Sequence, residues 1–403
     1  MMRSKTVNTT IGIMASQRPG LLEQPSGGPI AVPEDAFCRK LCQLGKQLGM
    51  LVYVFDPSSC FHPERTGIAG YTLENGQWCM KDLAYPDCIY DRSLCTSSEQ
   101  RHRRSQTLAE LKRQHPYILL NGELPNKWDV YCAMREDNKL QPFLPPTFRY
   151  DGNDSIAALM DQYPDGLFFK PSAGMQGRGT LRLRRGYREW YLDGRTRHNK
   201  PISLLFSLHA VRQFIGFSDY IVQPYLQLSD HDGTPYDIRS LIQKDEHGRW
   251  SLTGIALREG VPGGVTANLH GGGTPLPASK ALEARFGRTM SADLLALIKR
   301  LSEDAAHCLE GRFGRFAELG LDFGIEPDGR IWLLEANAKP GRAAFAAEPE
   351  LARLAVERPL RYAKLIANHR YPIVQTAAQN LSQQRDNIAI ARFQRRYVQE
   401  VHP

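Results

Sequence analysis

The sequence predicts a multi-domain α/β protein, and three observations carry that prediction. Its 403 residues are 42% hydrophobic and 23% charged, close to the globular average, so the chain can bury a sizeable core without disulfides or metals. Continuous apolar runs such as MLVYVF (Met50 to Phe55) are separated by amphipathic helical stretches, the pattern of buried parallel strands. Two apolar segments around Pro327-Asp328-Gly329 announce an antiparallel hairpin.

Taken in order, Thr10 to Ala15 (TIGIMA) reads as a short buried strand. Pro33-Glu34 opens a helix with Phe37, Leu41, Leu44 and Leu48 on one face and Gly49 at its stop. MLVYVF and Cys88 to Tyr90 supply further strands, giving a strand–helix–strand unit that ends near residue 95. A polar helix, Glu99 to Gln114, leads to Ile118-Leu119-Leu120. A new unit begins with the helix start Asn126-Lys127-Trp128-Asp129 and continues into Leu144-Pro145-Pro146-Thr147. A helix from Asp154 precedes strands at Leu167–Lys170 and Leu181–Leu183, which flank a glycine-rich loop; Gly186 to Phe206 is polar and yields no pattern. Four apolar segments follow: Tyr220–Leu226, Ile238–Gln243, Trp250–Leu257, and the hairpin Leu321–Ile325 with Ile331–Glu335. Between them, Ser291 to Leu309 is amphipathic, with Ser291 read as the N-cap and Gly311 as the stop. There are no internal repeats.

Charge and cysteine content exclude several classes. The formal net charge is +8, and from Leu351 onward nine Lys/Arg face three Asp/Glu, so most of the excess lies in the tail. Interleaved with apolar residues, those charges read as a solvated helical extension rather than a nucleic-acid arm. Leu351 to Ile366 is expected to be amphipathic, interrupted at Pro359 and docked on the preceding domain. Ile388 to Val398 is expected to pack on the body or on a second subunit, with a polyanion-binding arm as the alternative. No apolar run approaches the ~18 residues of a membrane span, and the polar start lacks the apolar core of a secretory signal. A cytoplasmic protein is expected. Its eight cysteines form no C-x-x-C, so they are read as thiols without structural zinc, with Cys38 and Cys42 as small core residues.

Three clusters could carry chemistry. In the first, Lys170 ends a strand before Gly174, Gly177 and Gly179, a loop whose backbone amides could surround phosphate oxygens beside a mobile ammonium. It matches neither the Walker A nor the Rossmann spacing. In the second, Glu335 and Asn337 stand two apart on one strand and so share a face. Asp322 can reach that face if the hairpin pairs about its turn. Two carboxylates and an amide oxygen suit Mg²⁺. In the third, Asp237 and Arg239 share a strand face, with Arg258 and Asn268 downstream, and arginine forks suit phosphate oxygens.

The order of these pieces is specific. Lys127, Leu-Pro-x-Thr, Phe169-Lys170-Pro171 with its glycine loop, Gln-Pro-Tyr-Leu, Asp-x-Arg, Glu318-Leu-Gly-Leu-Asp322 and Trp332-Leu-Leu-Glu335-Ala-Asn337-Ala-Lys339-Pro340-Gly341-Arg342 together resemble the ATP-grasp superfamily. With Tyr90-Asp91-Arg92, the chain looks most like the YheC/YheD-type, endospore coat-associated family. The resemblance covers roughly residues 10 to 367.

That resemblance implies an ATP-grasp fold: an N-terminal α/β pre-ATP-grasp domain with its connector (1–120), a nucleotide-binding lid (121–226), a catalytic subdomain (227–350) and a basic helical extension (351–403). It implies that Lys127 and Lys170 hold nucleotide phosphates, that Gly174, Gly177 and Gly179 form the mobile loop, and that Gln223 to Leu226, with Tyr225 among them, read adenine. Asp230 falls where a ribose-binding carboxylate is often placed, and Asn268 belongs to the same nucleotide site. Asp322, Glu335 and Asn337 match Mg²⁺ ligands, with Mn²⁺ as a substitute, and Arg239 and Arg258 match phosphoryl-stabilising arginines. Arg342 is expected to serve the acceptor pocket. The implied activity is carboxylate–amine ligation through an acyl-phosphate on an amino-acid or peptide-like substrate. A non-catalytic spore-coat or nucleotide-binding scaffold and an ATP-grasp kinase are the alternatives. Expected partners are ATP and a small acid–amine pair, with no membrane or nucleic acid; a homo-oligomer is left open.

Overall fold

The computed structural model describes residues 9–16, 32–58, 60–61, 67–95, 97–174, 177–185, 187, 189–195, 201–205, 207–267 and 272–368. The tail helix expected at 388–398 therefore lies outside the described residues. The N-terminal sheet comprises β1 (Thr10–Met14), β2 (Leu51–Phe55), β3 (Ile68–Glu74), β4 (Gln77–Leu83), β5 (Cys88–Asp91) and β6 (Ile118–Leu119) in the order β4-β3-β2-β1-β5-β6. From β2 to β6 the pairing is parallel, as the uninterrupted apolar runs require. Helix α1 (Asp35–Gln47) buries Phe37, Cys38, Leu41 and Cys42 against it. Helix α2 (Ser98–Gln114) is capped by Ser97, whose side chain accepts from the Gln100 amide. Sequence reading missed the hairpin β3–β4, although its Asn75-Gly76 turn, with φ of 48° and 78°, is a strong two-residue hairpin signal.

The lid is an antiparallel sheet of β7 (Phe148–Arg149), β8 (Leu167–Pro171), β9 (Leu181–Arg185), β10 (Trp190–Arg195), β11 (Pro201–Leu205) and β12 (Tyr220–Pro224), ordered β11-β10-β9-β8-β12-β7. The unreadable stretch 186–206 thus contains the β10–β11 hairpin. Before the lid, α3 (Lys127–Arg135) is capped by Asn126, whose side chain accepts from the Asp129 amide. Within the lid, Leu159 of α4 (Asn153–Gln162) and Val211 of α5 (Leu208–Ile215) pack with Leu167, Phe169 and Leu183.

The sheet of the expected catalytic subdomain is antiparallel in the order β15-β14-β13-β16-β17, from β13 (Tyr236–Lys244), β14 (Trp250–Glu259), β15 (Thr274–Pro277), β16 (Glu318–Ile325) and β17 (Ile331–Asn337). Its long helix α6 (Ala278–Phe313) starts earlier than expected. Ser291 is no cap; it is 4% exposed inside the helix, and the break falls at Gly287, whose φ of 75° suits glycine. The Cys308 thiol reaches the Ala133 carbonyl and Lys139 pairs with Asp304, so α3 sits on α6.

Helix α7 (Pro349–Asn368) corrects one expectation, since it runs through Pro359 without interruption, and it docks on the body as its amphipathic pattern predicts. Val356, Leu360, Tyr362, Ala363 and Ile366 enter the same core as Ile11, Val52 and Leu41. A proline at position i cannot donate to the carbonyl at i−4, here Ala355. Gln243 replaces the missing donor: its Nε2 donates to Ala355 O at 3.1 Å and to Glu318 Oε2 at 2.9 Å, while its Oε1 accepts from Thr253. Glu318, fully buried, also accepts from Tyr90, Arg92 and Arg342. Gln243→Leu should therefore lower stability by at least about 2 kcal/mol, since it strands several buried polar groups; a urea midpoint unchanged from wild type would contradict this.

Candidate active site

The lid and the catalytic sheet face each other across a cavity of about 370 Å³. From the lid side and the start of α3 it is lined by Lys127, Lys170, Gly174, Gly177, Gln223, Tyr225 and Leu226; from the catalytic sheet, by Arg239, Arg258, Asp322, Glu335 and Asn337. Residues far apart in sequence converge because most end or cross an apolar strand at the cleft, while Lys127 opens α3 and Gly174 and Gly177 belong to the loop after β8.

Strand register explains the catalytic wall. Asp322 on β16 stands opposite Arg239 on β13 and Glu335 on β17, so three charged side chains form one transverse row. A bulge at Leu334 makes the row possible: Phe323 pairs with Leu333 and Asp322 with Glu335, leaving Leu334 as the extra residue. Ile331 and Leu333 are thereby buried in the core, while Glu335 and Asn337 reach the cavity. Gly320, opposite Asn337, makes room for the arginine, because a Cβ there would lie 3.1 Å from Arg239 Nη1 and 2.7 Å from Pro340 Cβ.

The row is internally neutralised. Arg239 grips Asp322 with Nε at 2.5 Å and Nη2 at 3.0 Å; Arg258 grips Asp237 at 2.6 and 2.7 Å and reaches Asp322 at 3.2 Å. Burial opposes ionisation of Asp322, but Arg239 and Arg258 outweigh it and hold its carboxyl below the usual range. Opposite, Lys127 Nζ donates to Gly174 O at 2.7 Å and lies 3.5 Å from Glu335. Lys170 makes no ion pair among the described residues and hangs 5.4 Å from the Phe168 ring centroid. Burial lowers its ammonium pKa to about 8, helped by Lys127 and opposed by Glu335. The site therefore presents an uncommitted cation in a cleft whose carboxylates already have partners.

Three expected residues are placed otherwise, and a fourth is not described. The Asp230 carboxylate lies off the cavity wall, fixed by Arg285 at 2.9 and 2.6 Å. Arg342 turns beneath the site to Glu318 and Tyr90, with its guanidinium 4.2 Å from the Phe37 ring centroid. Gly179 sits behind the loop, where its carbonyl accepts from Tyr220. Asn268 lies outside the described residues. In each described case the distant partner, which sequence spacing does not reveal, decided the position.

Sequence reading also gave no site role to several residues that line the cavity: Glu34, Arg92, Leu94, Arg182 and Lys339. Arg92 donates to Glu34 through Nε and Nη2, both at 2.8 Å, and Lys339 donates to Asp91 and Ser93 O, both at 2.7 Å. Arg92 and Lys339 stood in the segments that carried the resemblance, so that signal was available. Glu34 has φ 50° without being glycine, a left-handed backbone that no sequence pattern announces.

A paired antiparallel lid and catalytic sheet closing on one cleft define an ATP-grasp protein. D-cycloserine synthetase DcsG shares the fold, with a TM-score of 0.51 at 13% identity over 89% of this chain and 99% of that one. The YheC/D-like ATP-grasp family model matches residues 117–366, and the chain belongs to that family. It is 30% identical over 280 residues to the endospore coat-associated protein YheC of Bacillus subtilis (strain 168), covering 68% of this chain and 76% of that protein. To YheD of the same organism it is 28% identical over 325 residues, covering 77% and 69%.

The lowered Lys170 value fixes a pH dependence. Below about pH 8 the folded protein carries a charge it disfavours. Between about 8 and the usual 10.5 the unfolded chain binds more protons, so this group adds stability as pH rises. Labelling by an amine-reactive reagent, read by peptide mass spectrometry, should show Lys170 with a midpoint near 8; a midpoint near 10.5 would contradict the assignment.

Proposed function

We propose that this protein is an ATP- and Mg²⁺-dependent ligase that joins a carboxylate to an amine, acting on amino-acid or peptide-like substrates. The observation that carries the reading is Lys170, which makes no ion pair among the described residues, opposite the Arg239–Asp322–Glu335 row across one cavity. A polyphosphate between these walls would meet ammonium groups on one side and guanidinium groups on the other. Gln223, Tyr225 and Leu226 would hold the base, and Gly174 and Gly177 would close over the terminal phosphate.

The donor set fits a hard divalent cation, because Asp322, Glu335 and Asn337 offer only oxygen. Glu335 and Asn337 would hold it, and Asp322 would join when Arg239 turns to a phosphate. When bound, the cation would neutralise phosphate oxygens. Arg239 and Arg258 serve the same end from the protein: a carboxylate approaching a triphosphate meets a charge barrier that preorganised cations lower. The substrate carboxylate oxygen bonds to the terminal phosphorus as the bond to ADP breaks. The amine then bonds to the acyl carbon, phosphate leaves, and the amine proton goes to solvent or phosphate. No protein nucleophile is required.

The acid and amine would sit at the end lined by Glu34, Arg92 and Lys339, where both charge signs are presented. The cytoplasm, with its ATP, is the proposed site of action; the endospore coat association that names YheC and YheD is the alternative location.

Lys170→Ala should weaken MgATP roughly ten- to hundredfold while leaving adenosine binding near wild type, as loss of a charged phosphate contact demands. Equal loss of both in calorimetry would remove Lys170 from the phosphates. Glu335→Gln should lower ADP release at least roughly hundredfold with an unchanged melting temperature. A collapse of stability with activity retained would make Glu335 structural. Mass spectrometry of products from acid–amine pairs separates ligation from simple phosphorylation.

A further inference from the structure

We propose that Thr147 locks the Gln223 amide so that its oxygen alone faces the base, making the site select adenine over 6-oxo purines such as guanine. The proposal rests on the nucleotide reading above and adds the residue that sets its base preference.

The lock is a chain of two hydrogen bonds. Thr147, 5% exposed, follows Pro145-Pro146, and its Oγ1 donates to the Pro145 carbonyl at 2.8 Å. A hydroxyl has one proton, so with that proton committed Oγ1 can only accept from anything else it meets. It meets Gln223: β7 pairs with β12 through Phe148 and Val222, which sets Thr147 beside Gln223, and Gln223 Nε2 donates to Thr147 Oγ1 at 2.8 Å. Turning the amide over would set oxygen against oxygen. The amide nitrogen therefore stays on Thr147, and Oε1 remains as an acceptor on a residue that lines the cavity and is itself 5% exposed.

Phe168 and Arg182 show where a base would lie. Gln223 is paired with Phe168, and Phe168 with Arg182, so these three side chains stand in one row on the cavity face of the lid sheet. The Phe168 ring is a flat apolar surface next to the Gln223 acceptor. Adenine carries an exocyclic amine, a donor, where guanine and hypoxanthine carry a carbonyl acceptor. A free glutamine could flip and serve either edge. A locked one behaves as a carboxylate would, without the charge. Thr147 touches no ligand in this scheme and is a positioning residue.

The test uses the full chain with Mg²⁺ and calorimetric titration of ATP, purine riboside triphosphate, ITP and GTP. Wild type should bind ATP most tightly and purine riboside triphosphate next. ITP and GTP should be roughly ten- to hundredfold weaker than ATP, because an acceptor then faces an acceptor. Thr147→Val frees the amide, so ITP and GTP should gain and the ATP/ITP ratio should fall about tenfold. Adding Gln223→Glu to that variant restores an acceptor-only group and should restore rejection of ITP, a rescue that a purely structural threonine would not give. Wild type that binds ITP as well as ATP, or a Thr147→Val ratio equal to wild type, overturns the proposal. Should Thr147→Val fail to fold, the wild-type order of ATP, purine riboside triphosphate and ITP decides alone. If wild type binds none of the four nucleotides, the nucleotide reading falls with it; ATP binding without base preference overturns only the lock.

Discussion

The buried carboxylate of Glu318 is the interaction on which the remaining architecture depends. Burial alone would keep it neutral, yet Arg342 and Arg92 outweigh that effect and hold it ionised, with Tyr90 donating at 2.5 Å and Gln243 at 2.9 Å. Its partners come from three places: β5 and the turn after it, the segment following β17, and β13 at the centre of the catalytic sheet. A buried charge that lost one of these donors would cost several kcal/mol, so the layers tolerate little independent movement there. Asn121 strengthens the joint, accepting from the Ala317 amide at 2.7 Å and donating to Glu318 O at 3.2 Å. The family match begins at residue 117, yet Tyr90 and Arg92 complete the polar centre of the matched region. The N-terminal sheet is thus part of the same folding unit.

Above that joint, the cleft is arranged so that its acids are satisfied before any ligand arrives. Arg239, Asp322, Arg258 and Asp237 form a linked quartet in that order, while Glu335 leans on Lys127. Such a wall has little net field of its own, and the lid's Lys170 supplies the local excess of positive charge. An anion entering the cleft would draw Lys170 and the arginines toward itself, loosening the quartet and releasing Asp322 oxygens. Charge exchange within a preformed set costs less reorganisation than assembling one from solvent.

Much of this was legible in the sequence for one reason: polar residues at the ends of apolar strands have few structural excuses. That logic picked out Lys170, Glu335 and Asn337, and the hairpin pairing added Asp322; all four line the cavity. It failed where an ionic partner lies far off along the chain. Asp230 and Arg342 looked like site residues until Arg285 and Glu318 claimed them. Helix boundaries failed through local chemistry read too simply: Ser291 looks like a cap, but Gly287 makes the break, and Pro359 looks like a stop, but Gln243 repairs its missing bond. The Asn75-Gly76 hairpin was legible and overlooked. Glu34 was not legible, since a left-handed glutamate is imposed by its surroundings.

The extra residue in β17 has a consequence for how this chain can change over time. Side chains along a strand are read in twos, and Leu334 shifts the phase once, after the core pair Ile331 and Leu333 and before the cleft pair Glu335 and Asn337. Substitutions on either side of the shift are local events. A single-residue deletion there would instead act like a frameshift, turning both polar side chains from the cleft toward the core while leaving the Glu-Ala-Asn and Lys-Pro-Gly-Arg letters of the motif in place. Motif identity alone would then overstate kinship of function: in this chain the number of residues between Ile331 and Glu335 matters as much as their identity.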